Sequence, residues 1–335
     1  MAVVFMDGFD SYNGTAAPNG MGGRHTLTGT NTTTTGRFGG LAYLSNTAFT
    51  STVTSPAFTA VSSFSCGFGF QKVSHATTAR EVIRFNNGAT NHVGIGVNTD
   101  GSIYAARNGT LLGTSAASLM AIGTWYTVEV EVVISDTVGR VTVYLDGASV
   151  LNLTSQDTRN GATSDVTVVQ IGNITGSGIA SAIDDLYITD SATKPTNALR
   201  IETLVPNGDG GTLNFTLSTG TSHFAVVDEL PANTTDYASG SAIGNLDELD
   251  LTDLSATPTA IEAVQVGAVW LKTDATARQM ALEVKSGATT STGGNYVLTT
   301  TGDKATRLLT TDPNTGAAWT ASAVNALKTR TKVTV

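Results

Sequence analysis

The sequence predicts an all-β protein with two sandwich domains, on three observations. Alternating apolar and polar runs recur roughly every ten residues, separated by Gly, Asn and Asp clusters that suit tight turns. Charged residues reach only 13% of the chain, against the usual quarter. Threonine, serine and glycine fill the difference: threonine is β-branched and suits strands, and the 36 glycines suit the turns between them.

In chain order, the run at 1–9 opens the first domain, and a Gly/Thr/Asn-rich stretch from Ser11 to Gly40 reads as a long loop with short strands or a surface insertion. Strand runs follow at 38–45, 49–58, 64–73 and 80–88, then at 92–109, 125–147, 165–174 and 182–190. Asn86-Asn87-Gly88 and Asn98-Thr99-Asp100-Gly101-Ser102 read as hairpin turns, because these residues tolerate positive φ. Residues 191–199 lack alternation and contain lysine and proline, which fits a linker between domains at 1–190 and 200–335. The second domain repeats the strand pattern until 319–329, where the period changes. Thr320 can cap a helix there, with Val324 and Leu327 on one side, ahead of a final strand. Trp270 and Trp319 read as core anchors of this domain.

A formal charge of -9 argues against a nucleic-acid partner, since binding would need a basic surface that releases phosphate counterions. Cys66 is the only cysteine, which excludes an intrachain disulfide, and its aromatic neighbours predict a buried small hydrophobe. No apolar run reaches membrane-spanning length, and the first residues lack the basic start of a signal peptide. Synthesis in a cytoplasm is the resulting expectation. His25, His75, His92 and His223 are scattered without zinc-site spacing. Gly67-Phe68-Gly69 and Gly94-Ile95-Gly96 lack the third glycine of a dinucleotide loop and read as close packing or bulges.

The clearest pattern is the hairpin at 125–147. Val128, Val130, Val132 and Ile134 face inward, with Trp125, Thr127, Glu129 and Glu131 on the other side. Matching faces predicts Ile134 opposite Val141, Val132 opposite Val143 and Glu131 opposite Tyr144. Two glutamates at i and i+2 could act as a glycosidase pair or form a solvated strand face; the solvated face is expected. An exposed aromatic flanked by polar groups suits a sugar ring, so Trp125, Glu131 and Tyr144 are candidate glycan-binding residues.

Trp125, Val143-Tyr144-Leu145-Asp146-Gly147, Ile171-Gly172 and Ile183-Asp184-Asp185-Leu186-Tyr187-Ile188 together resemble the laminin-G-like, concanavalin A-like lectin/glucanase fold over about 1–190. The resemblance implies a jelly-roll sandwich whose first and last strands lie side by side. It also implies a candidate calcium site at Asp7, Asp10 and Asp184, because such sandwiches often hold that ion on aspartates; no cofactor is otherwise required. Alternation, however, sends Asp184 and Asp185 to opposite faces. The related glucanases carry a Glu-x-Asp-x-x-Glu-like run, whereas Val132, Val133 and Ile134 follow Glu131 here, so the expectation is a protein that is not an enzyme.

The second half resembles a C-terminal domain of tailed-bacteriophage structural proteins, through Arg200–Asp209, Val227-Asp228-Glu229, Thr311–Thr320 and Val324–Leu327. This implies a non-enzymatic virion protein on the tail or capsid exterior, contacting other virion proteins and surface glycans. A homo-oligomer, with a trimer favoured, is part of that expectation. A tail depolymerase and a free lectin are the alternatives.

Overall fold

The computed structural model describes residues 1–16, 20–45, 50–74, 78–176 and 178–335; His75 lies outside them. The described residues form two compact units, Met1–Asp10 with His25–Ile201, and Ser11–Arg24 with Glu202–Val335. Both are all-β, and none of their helices is long and apolar enough to cross a membrane.

In the first unit the strands are β1 (Val3–Asp7), β2 (Thr26–Thr28), β3 (Asn31–Thr35), β4 (Leu41–Ser45) and β5 (Ser51–Thr54). Next come β6 (Ser63–Lys72), β7 (Arg80–Asn87), β8 (Thr90–Val97), β9 (Ile103–Arg107) and β10 (Thr110–Thr114). β11 (Trp125–Val133), β12 (Gly139–Leu145), β13 (Ala148–Gln156), β14 (Val168–Asn173) and β15 (Ser181–Thr189) complete it. Among the described residues, sheet A has eight strands in the order β13-β12-β11-β6-β15-β4-β3, with β1 also on β15; sheet B has seven in the order β10-β9-β8-β7-β14-β5-β2. Every ladder is antiparallel, and β1 does pair with β15, Asp7 opposite Leu186. The aperiodic stretch before Gly40 supplies β2 and β3, the outermost strands of sheets B and A.

The core lies between the sheets. From sheet A, Phe64, Cys66, Phe68, Phe70, Val128, Val130 and Val132 point inward; from sheet B, Ile83, Phe85, Ile95 and Ile171 meet them. The Phe64 and Phe85 rings contact edge-to-face at 4.9 Å, which locks one sheet on the other. Each such side chain contributes about 1.5–3 kcal/mol by leaving water. Cys66 is fully buried, and desolvation drives its thiol pKa up, so it behaves as the small hydrophobe expected.

The β11–β12 hairpin exists, but its register is two residues from the expected one. Val132 pairs with Val141, Val130 with Val143 and Glu129, not Glu131, with Tyr144. A slip of two keeps every side chain on its original face, so face matching cannot detect it. Asp146 is a turn residue at φ 47° instead of a strand residue, followed by Gly147 at φ 82°. That pair makes the two-residue connection to β13.

In the second unit, β16 (Pro206–Leu213), β17 (Thr216–Leu217), β18 (Ala238–Ser239), β19 (Leu246–Leu251) and β20 (Val264–Trp270) precede β21 (Gln279–Ser286), β22 (Thr289–Val297), β23 (Asp303–Leu309) and β24 (Lys328–Val333). A five-stranded sheet, β16-β19-β24-β21-β22, packs against the β20–β23 pair. Trp270 and Trp319 sit in that core, and the Trp319 indole donates to the Leu309 carbonyl at 3.1 Å. The expected helix runs from Ala321 to Asn325, and the Thr320 side chain accepts the Ala323 N–H as its cap.

Candidate functional site

Two pairs of glycines define the outward faces of the first unit. On β6, Gly67 and Gly69 alternate with the inward Cys66, Phe68 and Phe70; on β8, Gly94 and Gly96 alternate with Val93, Ile95 and Val97. A side chain at Gly67 would collide with the Tyr187 ring, and one at Gly96 with the Tyr104 ring. The glycines are floors on which neighbouring side chains lie flat. Close packing is therefore their role, as the sequence suggested.

On sheet A this floor is already occupied. Glu129 is 1% exposed and Glu131 7%, so the expected solvated face is buried. Residues 191–201, of which 191–199 were expected as a linker, lie across it. Glu129 takes the Tyr187 hydroxyl on one oxygen at 3.2 Å and the Lys194 ammonium on the other at 2.8 Å. Glu131 takes the Lys194 backbone N–H at 3.0 Å and the Tyr144 hydroxyl at 3.2 Å, with Arg140 at 3.5 Å. Arg140 also donates to the Ala192 carbonyl at 2.7 Å. All four carboxylate oxygens are thus engaged, and the pair fastens a strap instead of facing a substrate.

The candidate glycan residues are separated by this arrangement. Tyr144 and Glu131 do meet, but the Lys194 ammonium sits 5.2 Å from the Tyr144 ring centroid, where a sugar would have to stack. Trp125 lies six positions from Glu131 on an extended strand, about 20 Å away, and shares no platform with it. Local alternation could not reveal this, because the covering segment comes about sixty residues later in the chain.

The candidate calcium ligands are engaged with separate partners. Asp7 accepts the Phe9 N–H at 2.9 Å and contacts the His25 ring at 2.7 Å. Asp10 accepts the Leu41 N–H at 2.9 Å, and Asp184 accepts the N–H groups of Arg37 and Asp185, each at 2.8 Å. Among the described residues, no group of three or more acidic, histidine or cysteine side chains is placed to hold a metal. Nor do Asp184 and Asp185 go to opposite faces. A β-bulge sets four residues, Asp184 to Tyr187, against three, Gly69 to Gly67, and puts Asp185 at φ 51°. Both acids are buried as a result. Burial, reinforced by Asp185 and Asp10, lifts Asp184 to about 7. Burial likewise lifts Asp185 to about 6, against the Ile201 N–H that it accepts at 2.7 Å.

Sheet B keeps its outer face partly exposed. Strand register lays Thr26, Thr54, Gln170, Arg84, Gly94 and Ala106 in one row across six strands. Thr26 is exposed, and Thr54, Gln170 and Arg84 are half-buried. Beside this row, Glu81 lies over Gly94 and holds the Arg84 Nε at 2.7 Å. Tyr104 lies over Gly96, its hydroxyl hydrogen-bonded to Thr175; burial and then Glu81 push its pKa up to about 12, so it stays a neutral donor. The result is a fixed lattice of hydrogen-bond donors and acceptors above a low glycine floor. All of these residues except Thr26 lie in runs that the sequence shows as strands, but only register shows that they form one row.

No family model matches the sequence, and no curated protein matches it. Solved structures that this chain is similar to include the carbohydrate-binding module CBM66 from Bacillus subtilis, at 13% identity over 48% of this chain and 92% of that one, TM-score 0.34. Domain 4 of AbnA, an extracellular arabinanase from Geobacillus stearothermophilus, in complex with arabinotriose, has 16% identity over 56% and 91%, TM-score 0.37. Alginate lyase Aly36B has 14% identity over 56% and 97%, TM-score 0.39. By name these are carbohydrate-binding or glycan-processing proteins. At such distances no residue role passes from them to this chain.

Two outcomes test this geometry. Removing one partner of a buried ion pair leaves the other charge uncompensated, so Lys194→Met should lower unfolding free energy by about 2–4 kcal/mol. Adding Glu129→Gln should restore part of that loss in a denaturant-unfolding cycle. Asp185 Oδ2 has no hydrogen-bond partner among the described residues, and asparagine tolerates positive φ, so Asp185→Asn removes a buried charge at little geometric cost. The folded pKa lies above the unfolded one, so the native protein loses stability as pH rises from about 4 through about 6. Asp185→Asn should therefore be more stable than the native protein above pH 6, by on the order of 1–2 kcal/mol, and the gap should close below pH 4.

Proposed function

We propose that this chain is a non-enzymatic carbohydrate-binding structural protein whose contact surface is the outer face of sheet B. The observation that carries this reading is the Thr26–Thr54–Gln170–Arg84 row beside Glu81 and Tyr104. A hydroxyl-rich ligand is recognised by donors and acceptors at fixed positions, and a sheet holds them fixed before binding. Arg84 spends Nε and Nη2 on Glu81 and keeps further N–H groups for a ligand. The non-enzymatic reading rests on the engagement of Glu129 and Glu131, the pair that would otherwise suit glycosidic cleavage.

Display on a bacteriophage virion, tail or capsid exterior, is the finer reading. It rests on the sequence resemblance of the second unit, above all Thr311–Thr320 with Val324–Leu327. Oligomerisation through that unit, with a trimer favoured, belongs to the same reading.

The test is binding to an array of neutral and acidic oligosaccharides, with a reducing-end assay on each ligand. Binding without release of reducing ends, weakened at least five-fold by Arg84→Ala, is expected. Release of reducing ends, or binding of neutral oligosaccharides indifferent to Arg84→Ala, would contradict the proposal. Gold-labelled antibody against the protein should decorate phage particles in electron micrographs; unlabelled particles would remove the virion assignment.

A further inference from the structure

A second, cationic feature lies outside the sheet B face. The β3–β4 connection, Gly36-Arg37-Phe38-Gly39-Gly40, turns on glycines at φ 95° and 63° and carries Phe38 at its tip, 53% exposed. Arg37 and Arg200 are 163 positions apart in sequence. The strap brings them together: their guanidinium carbons lie 5.0 and 4.6 Å from the centroid of the same Phe38 ring. Arg37 is held further by donating to Thr127 Oγ1 at 2.7 Å, with its Cδ against Gly69. Arg200 is exposed and Arg37 half-buried.

Two like charges gathered on one ring oppose each other unless something compensates. The π face of Phe38 supplies a modest attraction to each. The nearby carboxylates offer partial compensation: Asp185 interacts with both guanidiniums from a buried position, Asp184 is buried beside it, and Asp10 accepts the Leu41 N–H. Arg200 and the Phe38 ring nevertheless face solvent, which leaves a guanidinium accessible on a chain whose formal charge is -9. A guanidinium presents several N–H donors in a plane, the geometry that takes carboxylate or sulfate oxygens in pairs.

We propose that Arg37, Phe38 and Arg200 form a subsite for the anionic groups of an acidic polysaccharide. Phe38 spaces the two guanidiniums, and each takes a carboxylate or sulfate group along the ligand chain. The subsite is separate from the sheet B face and does not depend on the reading given to that face.

The overall negative charge makes the test stringent, because a polyanion is repelled by the chain as a whole. Affinity electrophoresis of the full chain would use gels containing polygalacturonate, dextran sulfate or neutral dextran. Retardation is expected in at least one charged gel, absent in neutral dextran and weaker with added salt. Comparing the two charged gels tells carboxylate from sulfate as the preferred group. Arg200→Gln removes an exposed charge and should reduce retardation at least five-fold without lowering the melting temperature; Phe38→Ala should reduce it less. No retardation in either charged gel, equal retardation in dextran, or retardation unchanged in Arg200→Gln would overturn the proposal. A failure of neutral-glycan binding on sheet B would appear in the array and leave this retardation intact.

Discussion

The first unit depends on two carboxylates that cannot be left alone. Glu129 and Glu131 stand on the outward side of the central hairpin of sheet A, yet both are buried. A buried carboxylate must be paired and hydrogen-bonded or it opposes folding. Tyr187, Tyr144, Arg140 and Lys194 meet that requirement together, and Lys194 does so from the segment that leaves the last strand. The strap's path follows from this constraint. Between Ala192 and Ile201 it meets Arg140, both glutamates, Tyr187 and Asp185 in turn.

Once the strap is fixed, the two outer faces have different roles. Both central strands have alternating glycines, so both could have been open floors. Sheet A fills its floor with Tyr187 and the stem of Arg37, then adds the strap. Sheet B fills its floor with Glu81 and Tyr104, and the polar row beside them keeps access to solvent. The hairpin that first suggests glycan cleavage is thereby a fastening. The strap also delivers Arg200 to Phe38, so one segment closes one face and builds a cationic corner at its end.

Much of the fold was legible because its causes are local. Alternation located many of the strands, though not β10, β13 or β19, and it read 223–230 as a strand where Phe224–Val226 form a 3-10 turn; Asn and Gly located hairpin turns, and the Thr320 cap located the helix. The hairpin register was not legible, because the period of two hides a slip of two. The bulge at Asp184 and Asp185 was missed for a related reason: alternation assumes an unbroken ladder. The burial of Glu129 was hidden because its partner Lys194 is remote in sequence, and a strand read alone shows only a polar face. The same limit concealed the sheet B row, whose members come from six strands, and the meeting of Arg37 with Arg200.

The central claim is that residues 191–201 are held on sheet A by buried carboxylates. Hydrogen exchange at single-residue resolution tests it most directly, because the Lys194 and Ile201 amides each donate to one of those carboxylates. The account predicts that both exchange as slowly as amides of β11, while the exposed neighbours Thr196 and Asn197 exchange quickly. Exchange of Lys194 and Ile201 at the rate of Thr196 and Asn197 would contradict it.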